Sequence, residues 1–185
     1  ATLTIGDQDL TPATLISAGT LAGGTEVGLL FDEPLDQTSA EDPFNYEVAG
    51  VTVQSARMVG AANNVVILGV SGAPAAGADV TVSNVLDLAG NATNATVASD
   101  ESDLTSGVIG EAGVDPLLDG TGVHLGQDGY YIEAGGSDIW GNADHGHWLY
   151  KEFTGAFDAI VRVDSLTGPQ QWGKVGIMIR DDTSA

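Results

Sequence analysis

At 185 residues without a cysteine, the chain has room for one large or two small domains, and disulfides, thiolate metal sites and thiol catalysis are excluded. Asp and Glu number 26 against 5 Lys and Arg, a net charge of -21; no basic footprint exists for nucleic acid, and an anionic membrane would repel the chain. The same surface stays hydrated in salt and attracts cations, of which calcium is the obvious extracellular one.

Helical periodicity is nearly absent, and short β-branched runs alternate with Gly, Asn, Asp and Pro clusters. This pattern predicts strands over 14–18, 26–32, 45–48, 52–58, 65–70, 79–83 and 96–98. About seven strands in roughly 100 residues suit an Ig-like sandwich over 1–98. Within 26–32, Val27, Leu29 and Phe31 alternate onto one face, and Val66 and Leu68 repeat the stripe. The polar run Ser99-Asp-Glu-Ser-Asp-Leu-Thr-Ser-Gly107 reads as an acidic linker. A second β-rich part covers 108–185, with strands predicted over 129–134, 147–153, 156–164 and 172–180. Phe157, Ala159, Val161 and Val163 would share one face, as would Val175, Ile177 and Ile179. No run of about 18 apolar residues predicts a transmembrane helix. No basic, apolar leader opens the chain at Ala1, as expected of a mature or internal segment.

In the first part, Leu15-Ile-Ser-Ala18 has the form of an opening strand. Val27-Gly-Leu-Leu-Phe-Asp-Glu-Pro-Leu-Asp36 is followed by Thr38-Ser-Ala40 and Asn45-Tyr46, and Val85-Leu-Asp-Leu-Ala-Gly-Asn91 closes the series. In this order, across most of 11–98, these pieces resemble the bacterial Ig-like domains found in tandem in large secreted and surface-anchored proteins. The resemblance implies a spacer, stacking or adhesive element. Gly90-Asn91 suits a tight turn, and Pro34 ends the strand after Phe31. Asp87 and Asn91 read either as turn residues or as calcium ligands.

The second part carries Gly136-Ser-Asp-Ile-Trp-Gly141, Ala143-Asp144, His147, Tyr150, Thr154-Gly155, Ile160-Val-Arg-Val-Asp164 and Trp172-Gly-Lys-Val-Gly-Ile-Met-Ile-Arg180. Over about 121–182 these residues resemble the N-terminal part of a concanavalin A-like lectin/glucanase sandwich, a jelly-roll. Gly146 departs from the large apolar residue usual before the histidine, and His145 adds a polar neighbour. The family module continues beyond the Met-Ile-Arg segment. The expected half sandwich therefore leaves an apolar face and an open edge, to be covered by a longer chain or by a neighbouring subunit.

Candidate chemistry falls in the second part. Asp128, Asp138 and Asp144 sit in Gly-rich surroundings and suit calcium, which takes 6–8 oxygens, although Asp also caps turns. His145 and His147 would share a strand face, the pattern of a metal site or of structural histidines. Trp140, Trp148 and Tyr150 offer a stacking platform for a polysaccharide, or else core filling. Asn91-Ala-Thr93 and Asn94-Ala-Thr96 fit the N-glycosylation acceptor pattern. The Glu-x-Asp-x-x-Glu strand of lectin-like glucanases is absent from the sequence, as are serine-hydrolase elbows, phosphate loops and dinucleotide fingerprints. The expectation is an all-β, non-catalytic, extracellular or cell-surface module pair, whose partners are other modules or subunits of the same protein. A carbohydrate-binding accessory region of a secreted polysaccharide-degrading enzyme and a filament or sheath subunit are the alternatives.

Overall fold

The computed structural model describes residues 9–109, 120–127, 129–136, 138–140, 143–168, 171 and 173–181. The chain is all-β and divides into two units: residues up to Ser102 together with His124–Gly129, and Asp103–Val123 together with Tyr130 onward.

The first unit contains β1 (Leu15–Leu21), β2 (Glu26–Phe31), a short helix α1 (Gln37–Ala40), a 3-10 turn (Pro43–Asn45), β3 (Tyr46–Val48), β4 (Val53–Val59), β5 (Val65–Val70), β6 (Asp79–Leu86) and β7 (Ala92–Ser102). They form one mixed sheet in the order β3-β6-β7-β1-β2-β5-β4. Every pairing is antiparallel except β1 with β7, where Ala18–Leu21 runs parallel to Ser99–Ser102. β1 thus joins β4-β5-β2 to β7-β6-β3, and the two halves share one core.

Alternation builds that core. Val27, Leu29 and Phe31 of β2 and Val66, Leu68 and Val70 of β5 meet Val80, Val82 and Val85 of β6 and Tyr46 and Val48 of β3. Val80, Val82 and Val85 break period two. The register shifts between Ser83 and Val85, and Asn84 takes φ 60 as the extra residue of a bulge. The bulge restores Val85 to the inner face, where it is fully buried. Each such Val, Leu or Phe contributes about 1.5–3 kcal/mol on full burial. α1 is short and well capped: the Asp36 carboxylate accepts from the Ser39 amide at 2.9 Å. The Tyr46 hydroxyl donates to the Ala40 carbonyl at 2.7 Å, and burial pushes its pKa up.

The second unit is built on β8 (Thr105–Ile109), β11 (Asp138–Trp140) and β12 (Ala143–Tyr150), a sheet of order β11-β12-β8. β9 (Thr121–Gly126) and β10 (Gly129–Glu133) pair with each other, and the tip of their hairpin belongs to the first unit. There the Ser17 hydroxyl donates to the Leu125 carbonyl at 2.6 Å, and buried His124 packs against Gly19.

Three expectations need correction. Residues 99–102 are not linker: they end β7, because their backbone pairs with β1 despite their acidic side chains. The predicted strands 156–164 and 172–180 do not form at any described residue, and Trp172 lies outside the described residues. Their apolar side chains stand in solvent, Ile160 97% exposed and Ile179 74%. A strand without a neighbouring edge or a facing sheet has nothing to hold it. Finally, β12 starts at Ala143 and ends at Tyr150, four residues earlier at its start and three at its end than the predicted 147–153.

Candidate metal centre

Among the described residues, the carboxylates of Asp9, Glu33 and Asp87 bring one oxygen each to within 4.8 Å of one another. They come from three separate stretches. Asp87 opens the turn between β6 and β7, where its Oδ1 accepts from the amides of Ala89 at 2.7 Å and Asn91 at 2.9 Å. Its Oδ2 accepts from the Asn91 side-chain amide at 2.8 Å. Gly90 takes φ 91 and donates to the Asp87 carbonyl, which closes the turn. The turn role expected for Asp87 and Asn91 is therefore occupied, and the carboxylate still faces two others.

Glu33 is delivered by the exit from β2. Asp32 accepts from the Thr14 amide at 2.7 Å, and Leu35 forms an isolated bridge with Asp87, so the chain between them runs past the turn. Asp9 arrives from the segment before β1. Its Oδ1 accepts from the Thr11 amide at 3.0 Å and the Thr11 hydroxyl at 2.8 Å. The Asn91 side chain donates to the Asp9 carbonyl at 3.2 Å and so fixes this segment to the turn.

The electrostatics follow from this crowding. Burial first, then the charges of Asp9, Asp87 and Asp32, push the Glu33 carboxyl above its ordinary range. Hydrogen bonds from Thr11, its backbone amide first, hold Asp9 below the usual carboxylate value. For Asp87, burial is the largest influence and pushes upward. Hydrogen bonds from Asn91, Ala89 and Gly90 together outweigh it, so its carboxyl is held low. Hydrogen bonds thus favour the ionised form of Asp9 and Asp87, and Glu33 is crowded against them. Such an all-oxygen, anionic donor set fits a hard divalent cation, for which three carboxylates supply about three to six of the required oxygens.

The residues expected to bind calcium fall elsewhere. Asp128 lies outside the described residues. Asp138 is in β11, in register with His145, and Asp144 is in β12, in register with Ile139. The Asp144 carboxylate accepts from Arg180 Nη1 at 2.7 Å, so a side-chain cation already neutralises it. His147 Nε2 lies 2.9 Å from the Ser106 hydroxyl. Of the three expected aromatics, Trp148 and Tyr150 stack on one another with centroids 5.0 Å apart and pack over Gly107, both half-buried. Trp140 lies in β11, in register with Ala143. Gly146, which stands where the resemblance expects a bulky residue, is buried against Ile139.

Asp9 and Glu33 had no local signature. They are 24 and 54 residues from their next partner in the cluster, and only the β2 exit and the β6–β7 turn bring them together. The one local signal was Asp87 within Asp-Leu-Ala-Gly-Asn.

No family model and no curated protein matches the chain. Among solved structures it is similar to the S-layer protein rSbsC(31-844), at 15% identity and a TM-score of 0.42 over 73% of this chain and 22% of that one. It is similar to surface layer protein SbsC, domains 1-6, at 14% identity and a TM-score of 0.42, over 74% of this chain and 22% of that one. For the N-terminal part of the bacterial S-layer protein SbsC the figures are 13%, 0.40, 73% and 37%. The chain thus spans between 22% and 37% of those structures' lengths. Likeness at this level carries no functional argument.

Proposed function

We propose that the chain is a non-catalytic pair of β-modules from an extracellular or cell-surface structural protein. Its first unit is an Ig-like spacer with a calcium ion tied at Asp9, Glu33 and Asp87, and its second unit joins other modules or copies. The observation that carries this reading is the strand order of the first unit. Taking β1, β2, β3, β4, β5, β6 and β7 as strands A to G, the order is CFG joined through A to BED, the division of an Ig sandwich of the constant type. Such a unit buries its apolar faces on itself and presents an acidic exterior, as suits a spacer in a cation-containing medium.

The carboxylate cluster adds a mechanical role. A cation bridging Asp9 to Glu33 and Asp87 ties the segment entering β1 to the β2 exit and to the β6–β7 turn. Relative freedom at that end of the spacer would fall when the ion binds. No helix among the described residues is long and apolar enough to cross a membrane.

The test of location is external proteolysis of intact source cells. The reading predicts that the chain is cleaved from intact cells at the rate seen after lysis. Protection until lysis would overturn it.

A further inference from the structure

We infer that residues 157–164 and 174–181 are pairing partners across two copies of this chain, each copy's first segment lying antiparallel to the other's second. This deepens the assembly role proposed above and rests on it.

The two segments are an uncovered apolar surface within the second unit. Phe157, Ile160, Val161, Val163, Val175, Ile177 and Ile179 are all exposed, and none of the described residues from 151 onward is in a strand. The segments also stand apart electrically. Lys151, Arg162, Lys174 and Arg180 are four of the five cationic residues, and within 151–181 they balance Glu152, Asp158, Asp164 and Asp181. The rest of the chain therefore carries the whole charge of -21. Two copies repel one another over most of their surfaces and escape that repulsion where these segments meet.

The two segments are complementary at one antiparallel register. With Asp158 opposite Arg180 and Asp164 opposite Lys174, Ile160 faces Met178 and Arg162 faces Gly176, which leaves room for the guanidinium. On the other face Ala159, Val161 and Val163 meet Ile179, Ile177 and Val175. A slip of one residue sets apolar against polar faces, and a slip of two removes both ion pairs. In one direction that slip also sets Arg162 opposite Lys174.

Within one chain these partners are engaged otherwise. Arg180 bonds Asp144 at 2.7 Å, and Arg162 bonds Asp164 at 2.6 Å. Exchange between copies is reciprocal, so one contact made twice about a two-fold axis closes the assembly.

Charge exchange tests this with the full chain. One variant carries Asp158→Lys and Asp164→Lys, the other Lys174→Asp and Arg180→Asp. Light scattering should give the mass of two chains for the wild type and 18.8 kDa for each variant alone. An equimolar mixture should recover a one-to-one pair, because each segment then meets its opposite charge. Since Arg180→Asp also breaks the bond to Asp144, the exchange is repeated with Asp164→Lys and Lys174→Asp alone, and far-UV circular dichroism checks folding. A wild type that pairs while the mixture stays at single-chain mass overturns this contact and leaves the assembly reading standing. A monomeric wild type overturns this contact and any joining of copies, leaving other modules as the second unit's partners. Rescue only when all the exchanges are in one chain, at single-chain mass, means a hairpin within the chain and also overturns the inference.

Discussion

Replacing Glu33 by Gln should change stability in opposite directions with and without calcium. The Glu33 carboxyl is raised above its ordinary value, by burial first and then by Asp9, Asp87 and Asp32. A raised folded-state pKa favours the protonated form on folding. Its contribution to stability is present below the unfolded-state value and is lost as pH rises through the folded one. At neutral pH without divalent ions, Glu33→Gln removes a repelled charge and keeps the side chain's shape. The melting temperature should rise or hold, and the difference from wild type should shrink as pH falls through the carboxylate range. With calcium the sign reverses. An ion at a hundredfold excess over its Kd stabilises the native state by about 2.7 kcal/mol. For a unit of roughly 100 residues that is a rise of about 11–22 °C. If the variant binds about tenfold more weakly, the same concentration gives roughly half that rise. The assay is thermal unfolding by circular dichroism in chelator and in calcium, at several pH values, for both proteins. Equal calcium shifts in the two would refute the site. So would a variant less stable than wild type in chelator, because the carboxylates would then not be repelling one another.

Three further outcomes follow from the packing. Phe31→Ala empties a fully buried position in β2 and should cost about 3–5 kcal/mol, read as a lower urea midpoint with unchanged slope. Gly19→Ala would set a Cβ 2.4 Å from the Gly126 amide nitrogen, so hydrogen exchange at 124–127 should accelerate markedly; unchanged protection would show that the hairpin tip does not sit on β1. Asn84→Val puts a β-branched residue at φ 60 in the β6 bulge and should destabilise by about 1–3 kcal/mol, whereas Asn84→Gly should be near neutral or better in the same melt.

The first unit was largely legible because its strands alternate cleanly and Gly, Pro and Asn stand at their ends. Val65–Val70 was predicted at its observed bounds, and β2 stops before Pro34 as read. β7 was underestimated because Ala-Thr-Asn-Ala-Thr carries almost no apolar stripe. Its backbone pairing with β6 and β1, and the contact between Thr81 and Thr96 hydroxyls at 2.9 Å, hold it instead. The Asn84 bulge could not be seen from a period-two pattern that it interrupts. In the second unit the alternation in 156–164 was read as a strand, but Phe157, Ile160, Val161 and Val163 are all exposed, because a strand also needs an edge to join, and periodicity says nothing about that. Of the candidate site, only Asp87 was visible, within its turn. Asp9 and Glu33 meet it through the topology alone, while Asp144, which looked like a ligand, is claimed by Arg180 from 36 residues away.

The most direct measurement is a calorimetric titration of the full chain with calcium, beside the variant Asp9→Asn/Glu33→Gln. The account predicts one saturable ion per wild-type chain that the double variant loses or binds far more weakly. No saturable binding by the wild type, or equal binding by both proteins, would contradict it.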